Sequence, residues 1–195
     1  MVPRIQEANI REQRAMRQRQ LIDAAMSLAL EGGVNAVTVA SVAKRAGLSR
    51  SSIYEYFSSS ADLIADLVLE ELENYNNRLQ SSVAGIEEPY LYLELWIKEA
   101  LQYVIDGRHI LVKSLNSVNT PNFRKSEIAL GHKRLVASMK KPFESLGIKD
   151  IGAALSYLQS AIDSAAQRIE AGAPAELELQ LTQKFVIGGI RALAS

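Results

Sequence analysis

Residues 38–57, TVASVAKRAGLSRSSIYEYF, constrain this chain more tightly than any other stretch. Thr38 is placed as a helix N-cap, because its hydroxyl accepts from a free backbone N–H in the turn that follows. Val39, Val42 and Ala43 recur at helical spacing and predict a buried face. Gly47 takes the positive φ that ends a helix tightly, and Ser49 caps a second helix. Ile53 and Phe57, four apart, form the inner stripe of that helix. Arg50, Ser51, Ser52, Tyr54, Glu55 and Tyr56 remain for its other faces. Two short helices about a glycine turn, the second with a polar outer side, have the layout of a helix-turn-helix. In that motif the second helix enters the DNA major groove. An ordinary helical hairpin with a solvated polar face fits the same spacing.

A wider stretch, from about Arg17 to Leu69, resembles the DNA-binding domain of the tetracycline-repressor (TetR) family of bacterial regulators. The resemblance is carried by an amphipathic first helix, Gly32-Gly33, Thr38-Val39, Val42-Ala43, Ala46-Gly47-Leu48-Ser49, Ile53-Tyr54, Tyr56-Phe57 and Leu63. It covers about the first third of the chain. It implies a DNA-facing set of Thr38, Ser49, Arg50, Ser51, Ser52, Tyr54, Glu55 and Tyr56. Arg50 and Ser51, at the start of the reading helix, are assigned to base edges. Ser52, Tyr54, Tyr56 and Thr38 are assigned to phosphates. Two positions depart from the family pattern. A lysine that follows the phenylalanine and meets a phosphate is replaced here by Ser58-Ser59-Ser60. Glu55 puts a carboxylate where an uncharged or basic residue is usual, and a carboxylate near phosphates is repelled unless it reads a cytosine amino group.

Charge is distributed in the same sense. The chain is formally neutral, but residues 1–60 hold 8 Lys/Arg against 5 Asp/Glu, and the remainder 14 against 17. A basic N-terminal part and a slightly acidic body fit a DNA-facing end. Arg4, Arg11, Arg14, Arg17 and Arg19 precede or open the first helix, expected from about residue 11 to Leu30, and suggest a flexible basic arm. A solvated helix end with Glu7 and Glu12 as partners is the plainer alternative. The expected organisation is residues 1–60 as a DNA-binding domain with that arm, and 61–195 as a helical ligand-binding and dimerisation domain.

The body reads as helices throughout, so the fold class is all-α. A long helix is expected from Ser59 or Ser60, with Leu63, Ile64, Leu67, Val68, Leu72 and Leu79 along one stripe. Another spans about Pro89 to Ile105. Asp106-Gly107 interrupts, a short segment passes Leu111 and Leu115, and Asn119-Thr120-Pro121 breaks the chain again. A helix to about Leu146, interrupted near Pro142, is followed by helices from Asp150 to Ala171 and from Ala175 to Leu193.

The first of these last two is lined with Ala153, Ala154, Ser156, Ser160, Ala161, Ser164 and Ala165, and the second carries Gly188-Gly189. Small residues let helices approach closely. The pair either packs on its own body or meets its copy in a four-helix bundle across a two-fold axis, and the resemblance implies the second. A homodimer then sets two reading helices one DNA turn apart on a palindromic operator.

Tyr92, Trp96, Tyr103, His109, Phe123 and Tyr157 are candidates to line an effector pocket, each with plain core or surface as its alternative. The resemblance implies a small-molecule effector between these helices, without naming it. Motifs of nucleophilic, phosphate-binding or zinc-dependent catalysis are absent, His109 and His132 are isolated, and the chain has no cysteine. No enzyme activity, cofactor or metal is expected. No apolar run is long enough to cross a bilayer and the N-terminus is too polar for a secretory signal, so a cytoplasmic protein is expected. The rival function is a helical small-molecule-binding protein whose helix-turn-helix does not read DNA.

Overall fold

The computed structural model describes residues 4–108 and 122–194. Among them every regular element is helical: α1 (Arg4–Gly32), a short 3-10 turn (Val34–Ala36), α2 (Val39–Ala46), α3 (Arg50–Tyr54), α4 (Ser60–Ser82) and α5 (Pro89–Ile105) come first. After the undescribed stretch follow α6 (Asn122–Ala137), α7 (Lys140–Ser145), α8 (Ile151–Glu170) and α9 (Ala175–Leu193). No helix among the described residues is long and apolar enough to cross a membrane.

The described residues gather into two compact units. One takes 4–70 with 122–128, the other 71–108 with 129–194. Both α4 and α6 contribute to each unit.

In the first unit α1 packs on α2 and α2 on α3. Leu21, Ile22, Ala25 and Ala29 of α1 bury together with Val39, Val42, Ala43, Ile53 and Phe57. Removing this apolar surface from water is the main stabilising term, about 25 cal/mol for each Å². The helix α1 begins earlier than the apolar stripe predicts. Its opening lacks apolar periodicity but is rich in Arg, Gln, Glu and Ala, all strong helix formers. The expected flexible arm is corrected accordingly: the arginines from Arg4 onward lie on a helix.

In the second unit α5 packs against α7, α8 and α9. Glu88 caps α5, its carboxylate accepting from the Tyr90 and Leu91 N–H groups, and Pro89 occupies the first helical position. The break expected at Pro142 lies a few residues earlier, at Ser138-Met139. The proline ring clashes with the carbonyl four residues back, and inside the first turn of α7 its missing N–H is no loss. The breaks expected at Asn119-Thr120-Pro121, and the segment through Leu111 and Leu115, lie outside the described residues.

The second unit also buries a carboxylate. Glu71 has no exposed surface. Arg108 Nη1 donates to both its oxygens, at 2.8 and 3.0 Å, and the Tyr103 hydroxyl donates to Oε1 at 3.2 Å. The Tyr103 ring stacks on Tyr75 with centroids 4.0 Å apart. Burial pushes both phenols well above their ordinary range, so both hydroxyls keep their protons at any working pH.

The helices α8 and α9 each have an inner and an outer face. Ala154, Leu158, Ile162, Val186, Ile187 and Ile190 are buried. On the outer side Tyr157 is 64% exposed and Phe185 73%, with Leu177, Leu181 and Leu193 also exposed. The apolar residues of α9 thus divide between its own core and an uncovered surface.

Candidate nucleic-acid interface

The helix-turn-helix is held by local hydrogen bonds that its sequence dictates. The Thr38 hydroxyl accepts from the Ser41 N–H at 3.1 Å, and the Ser41 hydroxyl accepts from the Thr38 N–H at 3.0 Å, a reciprocal capping box on α2. Gly47 ends α2 at φ 67, ψ 32. The Leu48 N–H donates to the Ala43 carbonyl at 2.9 Å, closing the turn. A Cβ on Gly47 would meet nothing within 4 Å, so the demand for glycine is conformational, not spatial. Gly47→Ala is expected to lower stability by about 1 kcal/mol in thermal unfolding, the cost of a left-handed alanine. An unchanged melting temperature would show that the turn relaxes at no cost.

The Ser49 hydroxyl accepts from the Ser52 N–H at 3.1 Å and caps α3. The Ser51 and Ser52 hydroxyls lie 2.7 and 2.9 Å from it. The three serines thus form one cluster at the start of α3. This helix is 5 residues long, and the Phe57 N–H donates to the Ile53 carbonyl at 3.0 Å, which continues the turn.

The sequence-predicted residues sort by what the fold leaves free. Arg50 and Glu55 are exposed, and Tyr54 is 58% exposed. No ion-pair partner of Arg50 lies among the described residues. Thr38 and Ser49 have oxygens engaged as caps, so what they still offer a phosphate is a hydroxyl proton. Tyr56 is half-buried beneath Arg14, whose guanidinium carbon sits 5.4 Å from the ring centre. Ser60, where the family pattern has a lysine, instead accepts from the Val39 N–H at 3.4 Å, at the start of α2.

Residues outside the predicted set also hold this site. Arg14 Nη2 donates to the Glu55 carbonyl at 2.8 Å, tying α1 to the end of α3. Arg45 makes a two-pronged pair with Glu31, at 2.8 and 2.6 Å, and their hydrogen bond keeps the Glu31 carboxyl below its usual range. Lys44 is exposed beside it. Ser41, three residues after Thr38, carries a local signal for the capping box. Arg14, 41 residues from Glu55, carries none.

Among the described effector candidates, Tyr92 and Tyr157 line different grooves. Trp96 and Tyr103 are buried in the second unit, with Tyr103 committed to Glu71 and Tyr75. The Trp96 Nε1–H has no hydrogen-bond partner among the described residues. Tyr92 lines a separate groove of about 320 Å3 with Pro89, Ser138, Lys141 and Pro142. Tyr157 is 64% exposed on α8 and borders two open grooves, one with Leu181 and Phe185 and one with Phe185 and Leu193. His109 and the Phe123 side chain lie outside the described residues.

Comparison with known proteins adds the following. The profile of the family described as "Bacterial regulatory proteins, tetR family" matches residues 21–67. The HTH-type transcriptional repressor KstR of Rhodococcus jostii is 34% identical over 62 residues, 32% of this chain and 29% of that protein. The fatty acid metabolism regulator protein of Bacillus subtilis is 29% identical over 72 residues, 37% of each chain. The matched stretches thus span about a third of these relatives' lengths. The solved structure of the transcriptional regulator FadR of Bacillus subtilis in complex with stearoyl-CoA superimposes with a TM-score of 0.69 at 21% identity, covering 88% of this chain and 98% of that one. At that identity the likeness is one of fold.

Proposed function

We propose, from the match of residues 21–67 to the profile of the tetR family of bacterial regulatory proteins, that this chain is a DNA-binding transcriptional repressor released by a small-molecule effector. One observation carries the reading: α3 is capped, anchored by buried Ile53 and Phe57, and presents Arg50, Ser51 and Tyr54 outward. An exposed arginine near the start of such a helix has the reach to bond guanine O6 and N7. Glu55 fits a cytosine amino group on the opposite strand or simply faces solvent.

Dimerisation through the outer faces of α8 and α9 supplies the second reading helix that a palindrome needs. Release is a population shift, in which the effector binds the second unit better in the conformation that binds DNA less well. The first effectors to test are long-chain acyl-CoA thioesters, the class bound by the Bacillus subtilis neighbour. Addition of stearoyl-CoA to an operator complex would then free the DNA.

Selection of bound sequences from random DNA tests the core of this reading, with enrichment of a palindrome expected. Recovery of no common sequence would favour a helical binding protein whose helix-turn-helix reads no DNA, for which the exposed Glu55 carboxylate is the supporting observation. On the selected operator, Arg50→Ala is expected to weaken binding by about 1–3 kcal/mol and to relax preference at one base pair, with the melting temperature unchanged. Equal affinity for all bases at every position, before and after the substitution, would remove Arg50 as a reader.

A further inference from the structure

We infer that Arg124 of α6 is a positioning residue for DNA binding, a single guanidinium that clips together the supports of the reading helix; the inference rests on the DNA-binding function proposed above. Arg124 Nε donates to Asp62 Oδ1 at 3.0 Å. Its Nη2 meets Asp66 Oδ1 at 2.6 Å, and Nη1 donates to Glu127 Oε2 at 2.9 Å. Asp62 and Asp66 are one turn apart on α4 and mostly buried. Each divides its two oxygens between Arg124 and a different support of α3.

The first route runs through Asp62. Its Oδ2 accepts from the Ser58 N–H at 2.9 Å and from the Ser58 hydroxyl at 3.0 Å. Ser58 directly follows Phe57, the buried residue that anchors the end of the reading helix. The second route runs through Asp66, whose Oδ2 accepts from Gln18 Nε2 of α1 at 3.0 Å. One turn earlier on α1, Arg14 grips the Glu55 carbonyl and covers the Tyr56 ring. The exit of α3 is thus fixed from two sides, and both routes meet at Arg124.

The electrostatics require a cation there. Burial holds the Asp66 carboxyl above its usual range despite Arg124 and Gln18, and the charge of Asp62 adds to this. Burial opposes the Asp62 charge too, but the Ser58 N–H, Arg124 and the Ser58 hydroxyl outweigh it and bring that carboxyl below its range. Without Arg124 two nearby carboxylates repel in a poorly solvated place, and α4 has to shift to separate them or admit water. Either shift reaches Ser58 and Gln18.

The test measures affinity for the selected operator across a series of salt concentrations. Arg124→Met is expected to weaken binding about tenfold, a coupling typical of one charged network. The slope of log affinity against log salt should stay unchanged, because no phosphate contact is lost. Amide exchange at residues 55–58 should quicken. Arg124→Lys, able to serve only one carboxylate at a time, should fall between. Gln18→Ala strands no charge and so keeps the fold; it opens one route and should weaken binding about threefold. It should weaken binding less when Arg124 is already Met. Wild-type affinity in both Arg124→Met and Gln18→Ala overturns the inference while leaving the DNA-binding function intact. A reduced salt slope overturns it in favour of a direct phosphate contact. If the unsubstituted chain selects no DNA, the function itself fails and the inference falls with it.

Discussion

Arg108→Met is expected to destabilise the second unit by about 3 kcal/mol. The reason lies in its partner. The Glu71 carboxylate is wholly buried, and Arg108 Nη1 contacts both its oxygens while the Tyr103 hydroxyl contacts one. Removal of the guanidinium leaves a buried charge with a single neutral donor. Arg108 itself is 39% exposed, so water can enter from its side, which holds the loss near the lower end of the range for broken buried pairs. The asymmetry is diagnostic. Glu71→Leu should cost less than Arg108→Met, because the freed arginine swings to solvent whereas the freed carboxylate cannot. The double substitution should recover most of the loss, short by about 1 kcal/mol for the Tyr103 hydroxyl left without its acceptor. Urea unfolding followed by Trp96 fluorescence gives all three values. Equal costs for the two single substitutions would mean that Glu71 is hydrated in the folded protein.

Local rules made the helix-turn-helix legible. Thr38, Gly47 and Ser49 each act within three to five residues of chain, so the capped ends of α2 and α3 follow from residue types alone. The stripe of α4 follows from helical period. What escaped is what sequence distance hides. Glu71 lies on α4 between apolar positions and reads as a solvated glutamate until Arg108, 37 residues away, folds against it. Asp62 reads as a first-turn acid that suits the helix dipole, and it is that, but its other partner is Arg124, 62 residues on. The aromatic candidates are ambiguous for another reason. A tyrosine suits a pocket, a core or an interface equally well by composition, and only the packing of α8 on α9 decides that Tyr157 looks outward while Tyr103 looks in. The early start of α1 shows propensity acting without amphipathic periodicity.

That outward face carries the other large effect. Phe185→Asp is expected to convert the proposed dimer into a monomer and to weaken binding to the proposed palindromic operator at least about a hundredfold, because two linked half-sites act at millimolar effective concentration. Phe185 is the most exposed of the large apolar side chains on α9, and with Tyr157 it borders an apolar groove that Gly189, Ile190 and Leu193 complete. A carboxylate placed at the centre of such a contact loses its hydration with no partner, and central aromatic residues typically contribute about 2–4 kcal/mol to association. In the monomer the same aspartate faces water, so the fold should be undisturbed. Gly188 and Gly189 permit an independent check. A Cβ on either meets nothing within 4 Å among the described residues. Gly189→Leu should therefore stabilise the isolated protomer slightly, by up to about 1 kcal/mol of helix propensity. The same leucine should weaken the dimer by blocking close helix approach. Sedimentation at micromolar concentration reads the mass, and binding to a single half-site reads the α3 surface alone, which both substitutions should leave intact. A dimer that survives both Phe185→Asp and Gly189→Leu would place the two-fold contact elsewhere. A parallel loss of half-site binding would mean that the effect is on folding and not on assembly.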